Sequence, residues 1–70
     1  MSKLIMNALV LDAQAKEAKA IANLQNYMTN AAGIGEHPDI LEAIEKELEV
    51  VARYHDQLEV LDKYFPLDED

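Results

Sequence analysis

The sequence predicts an all-α protein: an antiparallel two-helix hairpin, coiled-coil-like in its packing, two copies of which form a four-helix bundle. Three observations carry this expectation. A single break, Ala31-Ala32-Gly33-Ile34-Gly35-Glu36-His37-Pro38-Asp39, separates two long stretches that contain neither Gly nor Pro. Both stretches carry apolar residues at alternating spacings of three and four, the signature of helices that pack along one face. Finally, 70 residues are close to the size at which one core barely offsets chain entropy, and with no cysteine there is no disulfide to help, which leaves self-association.

One helical-hairpin domain is expected over residues 1–70. Helix 1 covers about 2–32, where eight alanines favour helix. The turn covers 33–38, with Gly33 suited to the left-handed position past a helix end and Ile34 able to fold back on Met28 or Thr29. Helix 2 covers about 39–65. Pro38 fits its entry, Asp39 with Glu42 resembles a capping pair, and Pro66 stops it. A loose acidic tail follows at 66–70. Each arm is roughly 40 Å long at 1.5 Å per residue.

The seam between the arms is read as Leu4, Asn7, Leu11, Gln14, Ala18, Ile21, Gln25, Met28 and Ala32 against Leu41, Ile44, Leu48, Val51, His55, Leu58, Asp62 and Phe65. With the turn centred between Ile34 and Gly35, opposing numbers sum to 69. Apolar then meets apolar, as in Met28 with Leu41, Ile21 with Leu48 and Leu4 with Phe65. Polar meets polar, in Gln14 with His55 and Asn7 with Asp62. Buried polar groups cost free energy unless paired, so Asn7, Gln14, His55 and Asp62 are expected to set the register.

The seam does not use every apolar residue. Val10, Leu24 and Tyr27 on helix 1, with Ile40, Val50, Tyr54, Leu61 and Tyr64 on helix 2, form a neighbouring flank, interrupted by Glu17, Glu47 and Gln57. An exposed apolar face of that size marks an interface, and these eight residues are the expected contact with a second copy.

No residue pattern specifies a reaction. Neither His37 nor His55 has a Glu three residues before it, as a di-iron helical bundle requires. The carboxylate pairs Glu42 with Glu45 and Glu59 with Asp62 could each hold magnesium, but they lie about 25 Å apart on one helix. Gly33-x-Gly35 follows no strand and is no phosphate loop. His55 with Glu59 and Asp62 shares one helix face and is the alternative metal-binding reading, yet a metal site needs three or four converging ligands. The expectation is a non-enzymatic structural or adaptor protein, with no cofactor, metal or catalytic residue.

The net charge of −8 falls almost wholly on the second half: residues 1–35 carry +1 and residues 36–70 carry −9. Such a field repels nucleic acid and anionic membrane, so the expected partners are another copy and a basic protein. An inhibitor that imitates nucleic acid is the alternative function. No apolar run reaches transmembrane length. Met1 to Ala15 resembles a secretion signal, with Lys3, the apolar run Leu4 to Leu11 and Ala13-Gln14-Ala15. That run is short and holds Asn7, so a cytoplasmic location is expected and export is the alternative.

Overall fold

A computed structural model of the chain describes residues 2–30 and 39–66, so the expected turn at 33–38 and the tail beyond Pro66 lie outside the described residues. It contains two helices, α1 (Ser2–Thr29) and α2 (Asp39–Tyr64), packed against each other as a hairpin. The result is a rod measuring 53 × 15 × 14 Å.

Each helix ends for local reasons. At the end of α1 the Asn30 amide donates to the Asn26 carbonyl at 3.0 Å, and the Asn30 side chain donates to the Asn26 side-chain oxygen at 2.7 Å. The Asn30 side chain also donates to the Asn26 carbonyl at 3.1 Å, adding a second donor to a carbonyl of the last turn. In α2, Asp39 and Glu42 stand in the first turn and Lys63 in the last, which suits the helix dipole at both ends. Phe65 still donates to the Leu61 carbonyl at 2.8 Å, and Pro66 follows without a proton to continue the ladder.

Only one helix can shield the other here, so burial identifies the faces in contact. On α1 the shielded positions are Met6, Val10, Ala13, Glu17, Ala20, Leu24 and Tyr27. Their spacings alternate four and three without a gap. On α2 they include Ile40, Ile44, Glu47, Val51, Tyr54, Leu58 and Leu61, with Ala43 and Val50 beside them. Ala13 and Ala20, at 1% and 2% exposure, are the only buried residues among those described.

This corrects the seam read from the sequence. Asn7, Gln14, His55 and Asp62 are all exposed, as are Leu4, Leu11, Ala18, Ile21, Gln25, Met28, Leu41, Leu48 and Phe65. Of the expected seam only Ile44, Val51 and Leu58 are shielded among the described residues, and Ala32 lies outside them. Helix α1 is thus turned by one residue, or about 100°, from the expected orientation. The physical reason is desolvation. The expected α1 stripe would bury Asn7, Gln14 and Gln25, whereas the observed one contains a single polar residue, Glu17. The observed stripe also supplies two alanines a turn pair apart, which let the helices approach closely.

The register itself is near the expected one. Asn23 donates to the Glu47 carboxylate at 3.1 Å, the Lys16 ammonium lies 5.4 Å from the centre of the Tyr54 ring, and His55 pairs with Glu17 at 3.4 Å. Paired numbers sum to 70, 70 and 72, against an expected 69. That register sets Ala20 level with Val51 and Ala13 level with Leu58, so small residues on α1 stand across from large ones on α2.

Candidate interaction surface

The one-residue rotation leaves a second stripe on each helix, formed by the residues that follow the seam residues. On α1 it is Leu4, Asn7, Leu11, Gln14, Ala18, Ile21, Gln25 and Met28; on α2 it is Leu41, Glu45, Leu48, Ala52, His55, Glu59 and Asp62. Every residue in both is exposed. Leu4 at 78%, Leu11 at 63% and Leu41 at 66% show how little the single chain covers.

The two stripes lie on one side of the rod. At its open end a shallow groove is lined by Val10 and Gln14 of α1 and by Leu58, Asp62 and Phe65 of α2, which places Gln14 and Asp62 on the same side. The α1 stripe holds no charged residue over 25 positions, and Ala8, Ala15 and Ala22 continue it outward. The lysines of α1 stand elsewhere: Lys16 and Lys19 line the opposite side with Arg53. A charge-free helix face in full contact with water is an unusual use of sequence unless something covers it.

The eight residues expected to form the interface are placed differently. Val10, Leu24, Tyr27, Ile40, Val50, Tyr54 and Leu61 are half-buried in the seam between α1 and α2, and Tyr64 alone is exposed. The flank expected to meet a second copy is thus the face on which the two helices meet each other. A smaller apolar patch occupies the opposite side near the open end, where Leu9 meets Val60 and Leu61, with Ile5 and Tyr64 also exposed.

The polar groups at the surface are local. His55 sits between Glu17 at 3.4 Å and Glu59 at 3.2 Å, so its expected partner Gln14 is replaced by the one carboxylate in the α1 seam. Lys16 binds Asp12 at 2.9 Å. That hydrogen bond, then the Asp12 charge, and then Tyr54 raise the lysine above its ordinary pKa. Among the described residues no group of three or more His, Asp or Glu side chains converges on a metal position. Nor, among them, is any helix long and apolar enough to cross a membrane.

No protein-family model, curated protein or solved structure matches the chain.

Proposed function

We propose that the protein is a non-enzymatic structural or adaptor unit that works as an assembly of its own copies, two hairpins forming a four-helix bundle. The observation that carries this is the near-absence of an interior. Two alanines are buried among the described residues, while eleven large apolar side chains stand exposed. The chain's accessible surface is 5500 Å², about 1,100 Å² more than the roughly 4,400 Å² of a compact monomer of its mass. A stable interface of standard size covers about 800 Å² on each partner.

Sedimentation velocity across a wide dilution series tests the proposal. A dimer or larger species that loses helicity as it dissociates supports it. A folded monomer at every concentration overturns it.

A second reading has its own observation. Glu42, Glu45, Glu49, Asp56, Glu59 and Asp62 are all exposed along α2, a row of carboxylates on a rigid rod. Such a row fits an inhibitor that occupies the nucleic-acid site of a basic protein. Binding to a basic protein that weakens steeply with salt is its test.

A further inference from the structure

The second stripes of α1 and α2 match each other at most levels, Leu11 against Glu59 being the exception, and from this we infer how a second copy docks: α1 of each chain lies antiparallel on α2 of the other, around a two-fold axis parallel to the helices. The inference rests on the self-association proposed above and specifies its geometry. A two-fold axis in that direction preserves height along the rod, so the register seen within one hairpin also fixes which levels meet between two.

At those levels Met28 falls within about 3 Å along the axis of Leu41 of the second copy, and Ile21 within about 3 Å of Leu48. Leu4 reaches the height of Phe65. The polar positions come within the same distance, Gln14 of the level of His55 and Asn7 of that of Asp62. The apolar pairing that the sequence implies within one chain is therefore available between chains, where the rotated α1 presents it, while both ring nitrogens of His55 stay with Glu17 and Glu59.

Geometry and charge favour the same arrangement. Each outer stripe follows its seam by one residue, so the two contact faces of a helix stand about 100° apart, close to the right angle that a four-helix bundle asks of every member. The competing arrangement, α1 on α1, sets α2 against α2 as well. That would face the −9 halves of two chains with each other, whereas the inferred docking sets each against a half of charge +1.

The chain has no cysteine, so single cysteines report contacts without background. An Ile21→Cys chain mixed with a Leu48→Cys chain, refolded together and oxidised, is expected to give a covalent mixed dimer that neither variant gives alone. A disulfide tolerates only about 7 Å between α-carbons, which excludes diagonal pairs in a bundle. Cross-linking of Leu11→Cys with Ile21→Cys, or no cross-link in a sample that sediments as a dimer, would overturn the docking and leave self-association standing. A wild-type monomer overturns both. Ile21→Lys is expected to raise the dimer dissociation constant at least 100-fold, because the symmetric contact loses two layers at once. Val60→Lys, on the opposite side, is expected to change it less than threefold.

Discussion

Ala20→Leu against Ala22→Leu is the sharpest test of how α1 is rotated. Both replacements put the same side chain on the same helix two residues apart, and alanine and leucine differ little in helix propensity, so backbone effects cancel. Ala20 is 2% exposed at the level of Val51, whereas Ala22 faces water. Leucine adds three carbons. At Ala22 they enter solvent, and the cost is within about 0.5 kcal/mol. At Ala20 they have no free volume, and widening the seam there also parts its neighbours at Ala13 and Leu24. Overpacking of this kind costs about 1–3 kcal/mol. With a urea slope of about 1 kcal/mol/M for so small a chain, the midpoint of helix loss is expected to fall by roughly 1–3 M for Ala20→Leu and to stay put for Ala22→Leu. Far-UV circular dichroism at one fixed protein concentration reads both. Equal losses at the two positions, or no loss at Ala20, would refute the seam described above.

Three further outcomes are expected. Glu17→Leu removes the only polar residue of the α1 seam and leaves His55 its contact with Glu59, so thermal stability is expected to hold or rise, because a half-buried carboxylate gives way to an apolar side chain. Raising salt from low to moderate strength is expected to tighten self-association, because two copies of charge −8 repel less when screened; weakening with salt would argue for a contact driven by opposite charges. Asp12→Asn is expected to lower the Lys16 pKa toward its ordinary value in an NMR titration. Since the folded value is the raised one, the support from that pair is present below the ordinary value and is lost as pH climbs through the folded one.

The sequence displays both helices and the register to within three residues, because Pro66, the 31–38 break and the three-four spacings act locally. The rotation of α1 was not legible by spacing alone. Met6 to Tyr27 and Leu4 to Met28 are two stripes of identical rhythm, offset by one residue. What separates them is polar content. Glu17 alone interrupts the first, and its long side chain reaches His55 at the edge; Asn7, Gln14 and Gln25 interrupt the second. Weighing matched polar layers above the total number of polar groups buried reverses the assignment of the α1 seam. Leu24 and Tyr54, expected as contacts with a partner, hold the hairpin itself together. Substituting glutamate at either position therefore reports on folding before it reports on assembly.

The two buried alanines have a thermodynamic consequence for the protein at work. A compact domain carries its stability with it when diluted, because its interior travels with the chain. This rod has almost no interior, so on the proposed reading the apolar area that favours the folded state is created only when copies meet. Folding and abundance then become one variable: the melting temperature climbs with the logarithm of protein concentration. On that reading, dilution acts on this chain as urea acts on a globular one.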